Sequence, residues 1–273
     1  MYKLIATDMD GTLLTSKSTV SIENEKAIIE AQKKGVKFVL ASGRPVEAMK
    51  KYAKQLQMDK YEGYIIAFNG SQIIDCKTKE TVYSEPLSKE DVKYIYNKAK
   101  EFGTTLVTYV NEYIYSSDLN EYSEIEINVT GMKAIKINSI EDIIDKKIMK
   151  FMFVDEPKNI NKYLEIMKKE VGNKYFIAIS NPHFLEIANI NASKGNSLKQ
   201  LCKILDIDIV DTITCGDSYN DVDMLKLDCL SVAAKNAPDD IKKICKYVSR
   251  TNDEHILEDV INKFIGWLYI NHF

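Results

Sequence analysis

The chain lacks the cysteine pattern of a secreted or zinc-binding protein. Five cysteines occur in 273 residues, and no two of them form a C-x-x-C pair. The odd number argues against a disulfide framework, and the spacing argues against a thiolate zinc site. We therefore expect free thiols in a reducing compartment.

An excess of one charge and a long apolar run are lacking as well. Lysine and arginine number 37 against 40 aspartates and glutamates, so the formal net charge is −3. A nucleic-acid partner would favour a basic face, and a membrane span needs about 20 apolar residues in a row. The acidic Asp8 comes too early for the apolar region of a signal peptide. These observations predict a cytoplasmic protein with neither a nucleic-acid nor a membrane partner.

Three common signatures of other binding sites are also missing. The sequence contains no G-x-x-x-x-G-K-[ST] and no G-x-G-x-x-G, so neither a P-loop nor a dinucleotide site has its usual motif. The three histidines do not form H-E-x-x-H or another metal-binding spacing. These absences argue against a nucleotide site of either kind and against a histidine zinc site.

Short apolar segments alternate with helical patterns near the start of the chain. They predict strands at Lys3–Thr7, Val36–Leu40 and Tyr64–Phe68, separated by helices at Ser21–Lys34 and Val46–Gln57. A strand–helix–strand alternation implies parallel pairing. The pattern therefore predicts an α/β fold with a doubly wound, mostly parallel sheet.

The same alternation returns near the end of the chain. The predicted elements are a helix at Ser197–Leu205, a strand at Thr212–Cys215, a helix from Asn220, a strand at Cys229–Ala233, a helix after Pro238, and a last helix with apolar residues from Ile256 to Leu268. We expect the apolar stripe of this last helix to pack in the core.

The middle of the chain has a different pattern, rich in strands. Ser88 to Asp91 has the form of a capping box before a helix, and Asn181-Pro182-His183 between two apolar runs predicts an antiparallel hairpin. We therefore predict an α+β domain at 82–189, inserted into a core made of 1–81 and 190–273.

Four short motifs stand at or near the predicted strand ends. They are Asp8-x-Asp10-Gly11-Thr12, Ser42-Gly43-Arg44, Lys194-Gly195 and Gly216-Asp217-x-x-Asn220-Asp221. Sites in open α/β sheets form at the carboxyl ends of the strands, so we expect the four motifs to converge. Each motif alone is ordinary turn or cap chemistry, and the joint pattern is what favours a site.

The convergence would bring together four carboxylates, those of Asp8, Asp10, Asp217 and Asp221. Carboxylates crowded in this way repel one another, and a hard divalent cation such as Mg²⁺ relieves the repulsion. The positive charge of Lys194 and hydrogen bonds from Ser42 and the Gly43 N–H would suit a phosphate. The set predicts phosphoryl transfer, which needs mainly positioning and charge stabilisation.

These motifs resemble those of the haloacid dehalogenase superfamily, and most closely its Cof-type (subfamily IIB) phosphatases, which carry a large α+β cap. The resemblance is specific in DMDGTLL at 8–14, LASGRP at 40–45, SKG at 193–195 and GDSYNDVDML at 216–225. It implies that the domain at 82–189 is such a cap.

The resemblance also implies roles for single residues. Asp8 would be the nucleophile and a metal ligand. Asp10 would protonate the leaving oxygen, take a proton from the hydrolytic water and give its backbone carbonyl to Mg²⁺. Ser42, Gly43 and Lys194 would bind the transferring phosphoryl group.

The last motif would complete the site. By the same resemblance, Asp217 would be the second carboxylate ligand of the metal, Asp221 would orient metal-bound water, and Asn220 would support the phosphate or Lys194. The chain departs from the family pattern in two later loops, where Lys235 replaces a usual glycine and His255-Ile256 stands where Asp-Gly is common. These loops rim the predicted site, so the departures concern substrate contacts.

We therefore predict a Mg²⁺-dependent phosphatase that hydrolyses small phosphorylated metabolites, with sugar phosphates favoured, through an aspartyl-phosphate. A phosphomutase using the same intermediate is one alternative, because the motifs do not separate the two outcomes. A non-catalytic ligand sensor with the same fold is the other, and the intact motifs argue against it. The sequence does not indicate the oligomeric state or the cap residues that select a substrate.

Overall fold

A computed structural model of the chain describes residues 1–266, which form two compact units. The first unit joins Met1–Tyr83 to the chain from Ser193 onward, and the second is Ser84–Ala192. Leu268, the end of the predicted apolar stripe, lies outside the described residues. The assignment of the two units as catalytic core and cap stays a prediction.

The first unit contains an eight-stranded sheet. Its strands are β1 (Leu4–Thr7), β2 (Lys37–Ala41), β3 (Tyr64–Ala67), β4 (Gln72–Asp75), β5 (Thr81–Ser84), β12 (Thr212–Gly216), β13 (Leu230–Ala233) and β14 (Tyr247–Val248), in the order β14-β13-β12-β1-β2-β3-β4-β5. The pairs from β14 to β3 are parallel, and β4 is antiparallel to β3. The central strands are short and fully buried, as their continuous apolar sequences require. The doubly wound α/β prediction is confirmed.

The first unit also contains six α-helices in the part of the chain that the structure describes. They are α1 (Ile22–Lys33), α2 (Val46–Gln55), α6 (Lys194–Ile204), α7 (Val222–Leu225), α8 (Asp239–Ile244) and α9 (Ile256–Phe264). Ser21 caps α1 by accepting a hydrogen bond from the Asn24 N–H. The side chain of Asn24 then accepts bonds from the first amides of α9, at Leu257 and Glu258. A residue of α1 therefore caps a helix more than 200 positions further along the chain.

Two helix starts in the first unit differ from the sequence-based expectation. The helix α6 begins at Lys194 instead of Ser197, because Ser193 accepts a hydrogen bond from the Asn196 N–H and caps the helix there. The helix expected from Asn220 begins at Val222, after a 3₁₀ turn at Tyr219–Asp221. The strands β4 and β5 were not expected.

The second unit is an α+β domain with a six-stranded sheet. Its elements are α3 (Lys89–Phe102), β6 (Thr105–Val110), β7 (Tyr113–Ser116), α4 (Glu121–Thr130), β8 (Lys133–Lys136), β9 (Lys150–Val154), α5 (Pro157–Val171), β10 (Tyr175–Asn181) and β11 (Phe184–Asn189). The sheet order is β10-β11-β9-β6-β7-β8, with only the β7–β8 pair parallel. The capping box of α3 and the β10–β11 hairpin are as predicted, whereas α4 and β8 were not expected.

The second unit has a hydrophobic core of its own. Buried residues of the strands, such as Phe151 and Leu185, pack with buried residues of α3 and α5, such as Ile95 and Ile160.

In the part of the chain that the structure describes, no helix is long and apolar enough to cross a membrane.

Candidate active site

The strand order of the first unit brings three of the four motifs to one edge of its sheet. The strand β1 lies between β12 and β2, and Thr7 is in register with both Cys215 and Leu40. The residues that follow these strands, Asp8, Asp217 and Ser42, therefore leave the sheet at the same edge.

Three predicted carboxylates form one group. Asp8, Asp217 and Asp221 each offer a carboxylate oxygen, and these oxygens lie within 4.8 Å of one another. Asp8 is 4% exposed and Asp221 is fully buried. Within residues 1–266 the two ends of the chain thus supply one acidic site that could hold a metal ion.

Lys194 lies between two of these carboxylates. Its Nζ is 2.5 Å from Oδ1 of Asp8 and 2.7 Å from Oδ1 of Asp221, and its side chain is fully buried. The early start of α6 makes Lys194 the first residue of that helix. Burial alone would lower the pKa of Lys194, but the charges of Asp8 and Asp221 outweigh it and raise this pKa. The lysine therefore carries a fixed positive charge in the site.

The carboxyl groups of Asp8 and Asp217 are held in an environment that disfavours their charge. Burial, with the neighbouring Asp221, raises the pKa of Asp8 well above its usual value. Burial also raises the pKa of Asp217 to about 6, although a hydrogen bond from Thr12 opposes the rise. One lysine does not offset three carboxylates, so the site favours an additional cation.

Asp221 also shapes the loop that carries Asp217. Its Oδ2 accepts hydrogen bonds from the backbone N–H groups of Asp217 and Ser218, both at 3.0 Å. Its Oδ1 is the atom that contacts Lys194. The predicted role of Asp221 in orienting metal-bound water remains a prediction, and the structure shows it closing the loop after β12.

The turn after β1 orients the Asp217 carboxylate. Thr12 Oγ1 donates a 2.6 Å hydrogen bond to Oδ1 of Asp217. Gly11 has φ +80°, and a Cβ built on it would lie 2.5 Å from Oδ2 of Asp217. Both residues lie in the first motif, but the sequence alone did not reveal that they contact Asp217.

Asp10 stands apart from the acidic group. Arg44 donates to both of its carboxylate oxygens, from Nε at 2.8 Å and from Nη2 at 2.6 Å. The Asp10 side chain is 54% exposed. This arginine was part of the second motif, but its partner could not be read from the sequence.

The phosphate-binding candidates of the second and fourth motifs meet at Asn69. Ser42 is buried, its Oγ accepts from the Arg44 N–H at 3.2 Å, and its carbonyl accepts from the Asn69 N–H. The amide of Asn220 donates to the side chain of Asn69 at 3.3 Å. A Cβ built on Gly43 would lie 3.0 Å from that same side chain. Asn69 was not predicted, although it follows β3 at the same edge.

Comparisons with known proteins agree with this fold. The sequence model of the family described as haloacid dehalogenase-like hydrolase matches residues 5–261. A putative phosphatase of Bacillus subtilis (strain 168), YxeH, is 32% identical over 268 residues, which are 97% of this chain and 99% of that protein.

Two further matches have a similar extent. The 5-amino-6-(5-phospho-D-ribitylamino)uracil phosphatase YcsE of the same organism is 30% identical, covering 96% of this chain and 94% of that protein. The crystal structure of a haloacid dehalogenase-like hydrolase from Bacteroides thetaiotaomicron superposes with a TM-score of 0.90 at 31% identity, covering 96% of this chain and 99% of that one.

Proposed function

Because the chain belongs to the haloacid dehalogenase-like hydrolases, in their Cof-type branch, and is a phosphatase, we propose that it hydrolyses small phosphorylated metabolites with Mg²⁺ through an aspartyl-phosphate on Asp8. The observation that supports this proposal most directly is the acidic group around Lys194. It places a buried carboxylate beside a fixed positive charge and two further carboxylates.

In the first half of the proposed reaction, a carboxylate oxygen of Asp8 attacks the phosphorus atom of the substrate. The bond between phosphorus and the leaving-group oxygen breaks, and the leaving group departs as an alcohol. Lys194, which already contacts Asp8, offsets the negative charge of the phosphoryl group. Ser42, the Gly43 N–H and Asn220 are the further residues to which we assign phosphate contacts.

Asp10 moves protons in this proposal. It gives a proton to the leaving oxygen and then takes one from the water that attacks the acyl phosphate, which releases inorganic phosphate and restores Asp8. Its carboxylate is bound to Arg44 in this structure. It must therefore turn away from Arg44 before it can act on a substrate.

The residues present fit a Mg²⁺ ion. Oxygen ligands suit this cation, and Asp8, Asp217 and Asp221 supply three carboxylates against the single charge of Lys194. We assign Asp8, Asp217 and the backbone carbonyl of Asp10 as protein ligands of the ion, and Asp221 as the residue that orients metal-bound water. When bound, the ion would supply positive charge that offsets the charge of the substrate phosphate.

For the substrate we propose a phosphorylated sugar or polyol. The relative YcsE acts, by its name, on a phospho-D-ribityl compound, and it matches this chain over nearly its whole length. The predicted cap at 82–189 is the part of the chain to which we assign substrate selection.

The five free thiols fit the reducing cytoplasm in which we place the protein.

Replacing Asp8 by Asn tests the proposal. We expect Asp8→Asn to lower phosphate release from p-nitrophenyl phosphate by about a thousandfold or more, because the nucleophile is lost. The variant should stay folded, since an amide removes charge from a crowded acidic group. Asp59→Asn, an exposed aspartate of the same unit, is the matched control and should keep full activity.

Retained turnover by Asp8→Asn, or wild-type turnover that is unaffected by a chelator, would contradict the mechanism. A panel of sugar and polyol phosphates, assayed for inorganic phosphate and for isomeric sugar phosphates, separates hydrolysis from phosphoryl transfer back to the sugar.

A further inference from the structure

Two loops from the last part of the chain hold the turn that follows β1. Asn236, after β13, donates from Nδ2 to the Gly11 carbonyl at 2.8 Å. Asn252, after β14, donates from Nδ2 to the Leu14 carbonyl at 2.9 Å. The two asparagines are themselves joined, because the Asn252 N–H donates to Oδ1 of Asn236 at 3.1 Å.

These bonds form one connected clamp on residues 11–16. Next to Asn252, the side chain of Asp253 accepts from the Ser16 N–H at 2.8 Å. Leu14, which Asn252 holds, forms a β-bridge with Asp10. The clamp therefore holds Gly11 directly and contacts Leu14, which is the bridge partner of Asp10.

The clamp matters because of what the turn carries. The Gly11 carbonyl belongs to the same planar peptide group as the Thr12 N–H. A hydrogen bond that holds this carbonyl therefore also holds the backbone nitrogen of Thr12. Thr12 Oγ1 then orients Asp217. Gly11 has no side chain to restrict its backbone and sits at φ +80°. The bonds from Asn236 and Asn252 therefore add to the turn's own hydrogen bonds, such as that from the Leu14 N–H to the Met9 carbonyl, in keeping one conformation.

We propose that Asn236 and Asn252 are positioning residues that fix the Asp217 carboxylate for metal binding, through Gly11 and Thr12. This inference rests on the proposed role of Asp217 as a Mg²⁺ ligand. The proposal assigns a role to the two loops that depart from the family pattern at Lys235 and at His255-Ile256. Each loop contacts the turn after β1 through the side-chain amide of one asparagine.

Asn236→Ala is the direct test, with Mg²⁺ binding measured by calorimetry in the absence of substrate. Loss of a hydrogen bond that preorganises a ligand should weaken binding of Mg²⁺ about fivefold. The Mg²⁺ concentration that gives half-maximal activity should rise by the same factor, while the rate at saturating Mg²⁺ stays within about twofold. Asn252→Ala should act in the same direction.

A matched control separates positioning from stability. Gln32, a buried residue of the first unit, also donates from its side-chain amide to a backbone carbonyl, that of Leu56, at 2.8 Å. Gln32→Ala should lower the melting temperature, because this buried hydrogen bond is lost, and should leave Mg²⁺ binding unchanged.

A double variant tests the route. If Asn236 acts through Thr12, adding Asn236→Ala to Thr12→Val should weaken Mg²⁺ binding by much less than fivefold. Unchanged Mg²⁺ binding in Asn236→Ala, or fully additive losses in the double variant, would overturn the inference while the proposed function stands. A wild-type chain that binds no Mg²⁺ would overturn both.

Discussion

At the scale of single residues, the candidate site depends on small neighbours of the charged groups. Asp217 is held on one side by the Thr12 hydroxyl and meets the bare backbone of Gly11 on the other. Any side chain at position 11 would occupy space that the Asp217 carboxylate needs. A glycine here serves both the turn and the close approach.

We expect Gly11→Ala to raise the Mg²⁺ concentration for half-maximal activity about tenfold or more, because the new Cβ would displace the Asp217 carboxylate. Gly35→Ala is the matched control, since Gly35 has φ +89° but nothing lies within 4 Å of its Cβ position. Both variants should lose about 1–2 kcal/mol of unfolding free energy from the left-handed backbone. Steady-state rates against Mg²⁺ and thermal unfolding measure the two effects. Equal loss of activity in both variants would show that strain alone is responsible.

The sequence was sufficient to select the residues that could carry the chemistry. Asp8, Lys194, Asp217 and Asp221 were chosen from their motifs, and the structure brings them into contact. The partners of these groups were not predictable in the same way. Arg44 binds Asp10 only because the loop after β2 and the loop after β1 adopt conformations that bring the two side chains together. Thr12 and Asn69 could not be assigned a contact for the same reason.

At the scale of elements, capping decides where helices begin. Ser193 starts α6 three residues earlier than the apolar pattern suggested, which makes Lys194 part of the helix. The helix α4 was missed because its alternating Ile and polar residues do not make a clear helical stripe. Its signals were local, namely the cap at Asn120 and the left-handed Gly131 that ends it.

The cap of α3 predicts a dependence of stability on pH. Asp91 accepts hydrogen bonds from Ser88, Lys174 and the Tyr175 hydroxyl. Partial burial alone would raise its pKa, but these bonds prevail and lower the pKa of Asp91 to about 2. Since the folded pKa lies below the unfolded one, the stabilisation is complete above the unfolded pKa and is lost as the pH falls towards 2.

We therefore expect Asp91→Asn to reduce the unfolding free energy by about 1–2 kcal/mol at pH 7, because the cap and its ionic hydrogen bonds weaken. The difference from wild type should shrink as the pH is lowered from about 5 to 3. Urea unfolding followed by circular dichroism at several pH values measures it. Glu90→Gln, at the neighbouring exposed position, should show neither effect, and a pH-independent loss in Asp91→Asn would contradict this account.

At the scale of the whole molecule, the two units differ in how their cores are assembled. The core of the first unit combines residues from both ends of the chain, such as Leu4 and Val39 with Leu198 and Met224. The core of the second unit comes from one continuous stretch of chain. The second unit therefore contains within itself the apolar contacts that it needs.

We expect the isolated segment 84–192 to fold, with cooperative urea unfolding and a stability of roughly 5 kcal/mol. Phe151→Ala in that segment should remove about 3–5 kcal/mol, because Phe151 is fully buried in this core. Circular dichroism during urea titration of the segment 84–192 and of its Phe151→Ala variant measures both stabilities. A segment without a cooperative transition would show that its core depends on the rest of the chain.

The sequence by itself determined the alternation of strands and helices, the insertion of a strand-rich region and the residue types of the site. These features follow from local patterns of apolar and turn residues, which repeat over a few positions. Only the tertiary structure decided that β12 lies beside β1, that Lys194 reaches both Asp8 and Asp221, and that Asn236 holds Gly11. Such contacts join residues up to 238 positions apart, and their geometry depends on how the whole sheet packs and not on any short stretch of chain.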